Sequence, residues 1–480
     1  MTYPQDLAKR PRGVFFCNGK SGYEGMDKLH EECGVIGIYN KDENAVWSVW
    51  EGLFALQHRG QESAGIAVYS DNTIHCERGM GLVNEALCSE TVKRLPSSRL
   101  GIGHVRYSTA GESSANNVQP MFARFSGGWI AIAHNGNLIN TEALEQQLLD
   151  EGEYFQTSSD SGVLMALIIR NARNVSIEES IMHTMRDMVK GSYALVITTQ
   201  DKLIGVRDPL GIRPLVLGRT RDGGWCLASE SCAIDIIGAE LVRDIAPGEM
   251  VVIDREGIKE HKFADTKKSA LCVFEHVYIA RPDSVIDGLS VYKARYEMGR
   301  QLARTAPADA DFVAGVPESA LPAAKGYAAQ SGLPYSDALV RNRFVGRTFI
   351  QPTQSMREQG VYLKLSALNK TVEGKSIVLV DDSIVRGTTS KKIVTMLKNA
   401  GAKAVHLRIA SPPVRFPCRY GVDTPTSEEL AGACYSIEYI RDMVGADSLE
   451  YITLDGLREA VKDSNLSMCS ACFDGDYPLR

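Results

Sequence analysis

The apolar positions of this chain change rhythm a little past its middle. From residue 33 to about 265, short runs of alternating character recur at 34–39, 65–69, 101–106, 129–134, 193–198 and 250–253. Glycine and Asn/Asp turns separate them, so each predicts a β-strand. The stretches 45–57, 162–173 and 177–188 read instead as helices. Strands with helices between them predict an α+β unit, with stacked sheets and helices packed outside. Beyond about residue 270 the order becomes strand-like 312–315, helix-like 320–330, strand-like 377–380, helix-like 388–399 and strand-like 404–409. Strand–helix–strand alternation predicts a mostly parallel α/β sheet. The polar stretch 265–269 divides the two patterns, and residues 1–32, rich in Gly, Pro and charge, precede the first as a tail. Two domains are expected, 33–265 and 266–480.

Size and composition agree with this division. A chain of 480 residues exceeds one ordinary hydrophobic core, and 44% hydrophobic with 23% charged residues excludes a disordered protein. No apolar run approaches the roughly 20 residues of a bilayer span. Lys9, Arg10 and Arg12 are not followed by the apolar stretch of a secretory signal. A cytoplasmic protein without a membrane partner is expected. The net charge of −6 argues against a nucleic-acid partner. Any anionic ligand must therefore be held by local basic residues and backbone amides. Eleven cysteines, without an export signal, favour metal or catalytic roles over disulfides.

Candidate chemistry begins at Cys33, which opens the first strand. Alone it reads equally well as a small core residue. If residues 1–32 were removed, however, its α-amino group, with a reference pKa of about 7.7–8.0, could act as the base for its own thiol. Downstream come the run 57–65 around His58 and Arg59, then His104 to Thr109, then His134-Asn135-Gly136-Asn137, then Thr157 to Ser161. With Cys33, and in this order, these resemble the motifs of class II glutamine amidotransferases, N-terminal-nucleophile hydrolases with an αββα sandwich. The resemblance implies Cys33 as nucleophile and Asn135 with the Gly136 N–H as oxyanion hole. It also implies that Arg106 grips the glutamine carboxylate and Asp160 its ammonium. His58 and His104 are assigned to structure. One departure stands out: Gly162 follows Asp160-Ser161 where the family usually has glutamate, which puts local helix stability in doubt.

In the second half, an apolar strand delivers Asp381 and Asp382. A turn of Ser383, Arg386, Gly387, Thr388, Thr389 and Ser390 then opens a helix. Amides and hydroxyls at a helix N-terminus suit a phosphate. The segment 378–390 resembles the phosphoribosyl pyrophosphate (PRPP) motif of type I phosphoribosyltransferases. That implies Asp381 and Asp382 on the ribose hydroxyls and Mg²⁺, with Arg386 to Ser390 around the 5′-phosphate. Val316-Pro317-Glu318-Ser319 resembles the pyrophosphate-side loop, with Ser319 near the metal and Glu318 in place of the usual aspartate. The basic stretch 341–366, including Arg347 and Lys364, resembles the loop that closes over PRPP.

The two motif sets together resemble the amidophosphoribosyltransferases, an α+β glutaminase fused to an α/β transferase. Cys272, Cys418, Cys469 and Cys472 match the four ligands of the iron–sulfur subtype and imply a [4Fe–4S] cluster. A Cys-x-x-Cys pair on its own would serve zinc or redox chemistry equally well. The same subtype implies that 1–32 is a cleaved propeptide. It further implies ammonia channelling to PRPP, inhibition by purine nucleotides of the AMP, GMP, ADP and GDP type, and a homotetramer. A non-enzymatic PRPP sensor would carry a DNA-binding segment and a decayed nucleophile, and neither is evident.

Overall fold

In a computed structural model the structure describes residues 33–107, 115–155, 157–265, 268–342 and 364–479. The proposed propeptide and Arg347 lie outside these residues, as does most of the stretch 341–366.

Thirteen strands build the first half: β1 (Gly34–Tyr39), β2 (Ser63–Ser70), β3 (Thr73–Met80), β4 (Leu100–Arg106), β5 (Met121–Phe125), β6 (Gly128–Leu138), β7 (Gly191–Thr198), β8 (Leu203–Arg207), β9 (Val216–Arg219), β10 (Trp225–Ala228), β11 (Glu240–Asp244), β12 (Glu249–Asp254) and β13 (Gly257–Lys262). They form a sheet in the order β11-β9-β10-β1-β4-β2-β3 and another in the order β13-β12-β8-β7-β6-β5. Within each strand the side chains point alternately to the two faces. Val35 and Ile102 thus meet Ala131, Ala133 and Val196 between the sheets. Ile36 and Ile38 face outward onto the helix Ala45–Ala55, and Ile130 and Ile132 onto the helix Asp160–Asn171. The result is the four-layered sandwich. The helix expected over 177–188 runs as an α-helix only over Ile177–His183 and continues as a wider π-type turn over Thr184–Met188.

The second half carries a four-stranded parallel sheet, β14 (Phe312–Gly315), β15 (Ser376–Asp381), β16 (Ala404–Ile409) and β17 (Ser448–Tyr451), in that spatial order. Helices Leu321–Ser331 and Thr388–Asn399 follow β14 and β15. Near the end of the chain Met468–Cys469 pairs in parallel with Leu271–Cys272, the start of this half.

Buried ion pairs join the halves. Arg59 reaches Glu275 at 2.8 Å, and Arg207 reaches Asp287 at 2.7 Å, all four residues buried. Among the described residues no helix is long and apolar enough to cross a membrane.

Candidate active sites

Cys33 immediately precedes β1, whose Gly34 pairs with Val105 of β4. That register sets Cys33 beside Arg106. The thiol is buried and donates to the Tyr107 carbonyl at 3.5 Å. Burial pushes its pKa up to about 11, with Arg106 opposing the rise and Asp160 and Glu62 adding to it. Arg106 is itself buried and lies 3.5 Å from Glu62. An arginine's planar guanidinium can meet a carboxylate with two parallel N–H groups.

Asp160 begins its helix with its carboxylate turned back to β6. It accepts from the Leu138 N–H at 3.1 Å, and Ser159 and Ser161 hydroxyls donate to it at 3.3 Å. Burial alone would raise its pKa, but His134 and these hydrogen bonds outweigh that and hold it below the usual value. A negative charge is thus maintained in a buried place. His104 is equally buried, bonded through Nε2 to the His134 carbonyl, and desolvation lowers its pKa to about 3. That bond ties β4 to β6.

Asn135 and Gly136 lie in β6. The Asn135 side chain is 1% exposed, and neither its Nδ2 nor its Oδ1 has a hydrogen-bond partner among the described residues. Native structures rarely bury an amide without partners unless something else supplies them. Gly136 has φ +146°, and a Cβ there would fall 2.1 Å from the Ser192 carbonyl oxygen. Only glycine fits. Gly162 has a comparable reason: a Cβ would lie 2.2 Å from the Thr157 methyl, while the Thr157 hydroxyl donates to Asn117 at 2.6 Å.

At the carboxyl end of β15, Asp381 and Asp382 are each 1% exposed. The Asp382 N–H donates to Asp381 at 2.9 Å, and the Ser383 hydroxyl to Asp382 at 3.0 Å. Ser319, from the loop after β14, donates to the other Asp382 oxygen. The structure thus brings Ser319 onto Asp382, 63 positions further along the chain. Gly387 has φ +87° and leads directly into the helix Thr388–Asn399, while Ser390 is buried in its first turn. Arg386 meets Glu429 at 3.1 Å, and Glu318 meets Arg341 at 3.4 Å. The Lys364 carbonyl accepts from the Asn342 N–H at 2.8 Å, at the described edges of the basic stretch.

Cys272, Cys418, Cys469 and Cys472 line one cavity of about 20 Å³, together with Ile212, Arg213 and Phe274. Burial raises Cys272 to about 12 and Cys469 to about 11, and neighbouring thiols push further in the same direction. Among the described residues no group of three or more His, Cys, Asp or Glu forms a ready-made metal-ion site.

Several residues at these sites were not singled out from the sequence. Arg59 stands in a quoted motif, yet its part emerges only here: it is fully buried, with Nε donating to the Cys33 carbonyl at 3.2 Å. Its other nitrogens reach Glu230 at 2.6 Å and Glu275 at 2.8 Å. Although burial opposes it, these two carboxylates raise the Arg59 pKa. Ser192, Arg213 and Tyr420, joined across the halves, were also missed.

A glutaminase sandwich fused to a phosphoribosyltransferase sheet defines the class. The sequence matches the glutamine amidotransferase domain family over residues 104–235 and the phosphoribosyl transferase domain family over residues 287–411. It is 48% identical to the amidophosphoribosyltransferase of Archaeoglobus fulgidus, covering 93% of this chain and 98% of that one. It is 49% identical to that of Staphylococcus aureus, covering 94% and 91%. Glutamine PRPP amidotransferase from Bacillus subtilis, solved with ADP and GMP, superposes with a TM-score of 0.87 at 45% identity, covering 93% of this chain and 98% of that chain. The chain belongs to the amidophosphoribosyltransferase family. It is a glutamine-dependent, pentosyl-transferring enzyme of the first step of purine biosynthesis.

Proposed function

We propose that Cys33, freed by removal of residues 1–32, is the glutaminase nucleophile and that its own α-amino group is the base. The buried amide of Asn135, without a hydrogen-bond partner among the described residues, carries this reading, because a tetrahedral oxyanion is a partner that fits such a donor. Arg106 takes the glutamine carboxylate and Asp160 its ammonium. The thiol attacks the side-chain amide while its proton passes to the amine. Ammonia leaves, a thioester remains on Cys33, and water releases glutamate. A thiol raised to about 11 in the uncleaved chain supports the need for cleavage, since a thiolate is scarce without an adjacent base.

Ammonia then reaches C1 of PRPP between domains 33–265 and 266–480, displacing pyrophosphate to give 5-phosphoribosylamine. Asp381 and Asp382 hold the ribose hydroxyls, and Ser383 and Arg386 to Ser390 hold the 5′-phosphate. Arg347 and Lys364 cover the pyrophosphate. Mg²⁺ fits Ser319 and the two aspartates, because a hard cation takes one or two carboxylates and completes its shell with water and substrate oxygens. When bound it neutralises pyrophosphate charge.

Cys272, Cys418, Cys469 and Cys472 would hold a [4Fe–4S] cluster. The fit lies in the donor set: four thiols around one small, largely apolar cavity repel one another as thiolates unless cationic iron joins them. Its contribution is structural. Purine nucleotides inhibit, as the ADP and GMP of the Bacillus structure suggest, and the enzyme is a cytoplasmic homotetramer.

The test is glutamate and pyrophosphate release by anaerobically purified protein given glutamine, PRPP and Mg²⁺. Equal release is expected, lost in Cys33→Ala with glutamine but kept with ammonia. No pyrophosphate with either nitrogen source, from folded protein, would overturn the transferase assignment.

A further inference from the structure

Gly136 sets a physical difficulty. Its N–H is assigned to the oxyanion, yet glycine has no side chain to anchor its backbone. Something nearby must fix the peptide direction, because an oxyanion donor misaimed by a fraction of an ångström loses most of its effect.

Ser192 of β7 lies opposite Asn137 of β6 and is fully buried. Its hydroxyl accepts from the Asn137 N–H at 3.3 Å and donates to the Tyr420 carbonyl at 2.7 Å. Arg213 grips the same carbonyl through Nε at 3.0 Å and through Nη2. One residue earlier, the Arg419 carbonyl accepts from Asn137 Nδ2 at 3.0 Å. One residue later, Gly421, with φ +101°, passes so close that a Cβ would lie 3.1 Å from the Gly136 carbonyl carbon. Arg419 and Gly421 thus meet Asn137 and Gly136 directly, and Tyr420 between them reaches the Asn137 N–H through the Ser192 hydroxyl. Arg213 also lies 3.6 Å from Glu275, which pairs with Arg59, whose Nε holds the Cys33 carbonyl.

We propose that Ser192, with the Arg213-held carbonyl of Tyr420, is an interdomain brace that aims the Gly136 N–H, making Ser192 a positioning residue for glutamine hydrolysis. This rests on the oxyanion reading above. Both functions of the Ser192 hydroxyl are already used, so it acts through the backbone and not on the substrate.

The brace is tested by Ser192→Ala and, as a second variant at a more exposed position, Asn137→Ala, in the processed full chain. Four quantities are read: kcat and KM for glutamine with PRPP present, ammonia-dependent pyrophosphate release, and inhibition by glutamate γ-semialdehyde. That aldehyde adds the Cys33 thiol across its carbonyl, forming C–S and moving the thiol proton, and so needs the oxyanion pocket without turnover. Misaiming one donor should lower kcat about 10- to 100-fold, below the full loss on deleting such a donor. Aldehyde inhibition should weaken in proportion, KM should stay within about threefold, and ammonia-dependent turnover within about twofold. A glutamine kcat within about twofold of wild type in both variants, a loss confined to KM, or an equal loss with ammonia would each overturn the brace. Cys33→Ala run alongside separates the two readings. If it still turns over glutamine, the nucleophile assignment fails; if it is dead while Ser192→Ala is fully active, only the brace fails.

Discussion

Replacing Asn135 by alanine should separate stability from activity, because the two depend on its amide with opposite signs. The side chain is 1% exposed and has no partner among the described residues at either polar atom. A buried amide without a partner costs the resting fold about 1–3 kcal/mol. Truncation removes that cost while forfeiting packing around the lost atoms, a penalty of similar size for a small group. The folding free energy should therefore stay within about 1 kcal/mol of wild type. Catalysis has no such offset. Deleting one oxyanion donor typically costs about 10²–10³ in kcat, or 2.7–4 kcal/mol of transition-state stabilisation. Urea unfolding supplies the first number, and glutamate release at saturating glutamine, PRPP and Mg²⁺ supplies the second. Ammonia-dependent pyrophosphate release should be unchanged. A stability loss above about 2 kcal/mol would mean the amide has a partner in the resting enzyme, and the reasoning would fail. So would a kcat within about threefold of wild type.

Other changes probe the rest of the assembly. Arg59→Met removes the guanidinium shared by the fully buried Glu230 and Glu275, leaving His58 beside the first and Arg213 3.6 Å from the second, and should destabilise the protein by about 3 kcal/mol in chemical unfolding. In the uncleaved chain the Cys33 thiol, raised to about 11 by burial, exists as thiolate only at high pH. Its alkylation by iodoacetamide should keep accelerating roughly tenfold per pH unit from 8 to 10, whereas an ordinary thiol levels off near 8.5. A plateau below pH 9 would contradict the burial argument. Asp381→Asn should cut PRPP-dependent pyrophosphate release by at least about 100-fold with either nitrogen source, since the ribose and metal lose a buried carboxylate. Unchanged release would remove Asp381 from the site.

Local pattern made much of this architecture legible. The expectation over 34–39 coincides with β1, that over 312–315 with β14, and those over 388–399 and 404–409 with the helix and β16 that follow β15. These elements are strongly periodic and bounded by turn residues, so period and punctuation agree. The fifteen-residue helix Val291–Thr305 went unread, although it packs its apolar face into the second core. Of its basic residues Lys293, Arg295, Arg300 and Arg304, Arg295 falls on the buried face and interrupts the apolar stripe there. Arg295 is nonetheless buried, donating to the His276 and Ala280 carbonyls at 2.8 Å, a pairing that charge alone could not reveal. Strands β3, β5, β8, β9, β10, β11, β13 and β17 were missed for a related reason: they are short or polar, and their pairing partners are what make them strands.

The residues that bind the halves left no local signal because their partners are far along the chain. Arg59 and Glu275 are 216 positions apart, Ser192 and Tyr420 are 228, and Asn137 and Arg419 are 282. Motifs preserve neighbours, so Asn135 and Gly136 could be picked out together, as could Asp381 and Asp382. For Gly136 and Asn137, part of what fixes the geometry comes from the other domain. If glutamine hydrolysis depended on the first domain alone, that domain would need its own anchor for Gly136. Instead Arg419 and Gly421 of the second domain contact Asn137 and Gly136, and Tyr420 holds the Ser192 hydroxyl that accepts from Asn137. Ammonia released where no second domain is docked would be wasted, and a pocket whose aim depends on docking avoids that loss by construction.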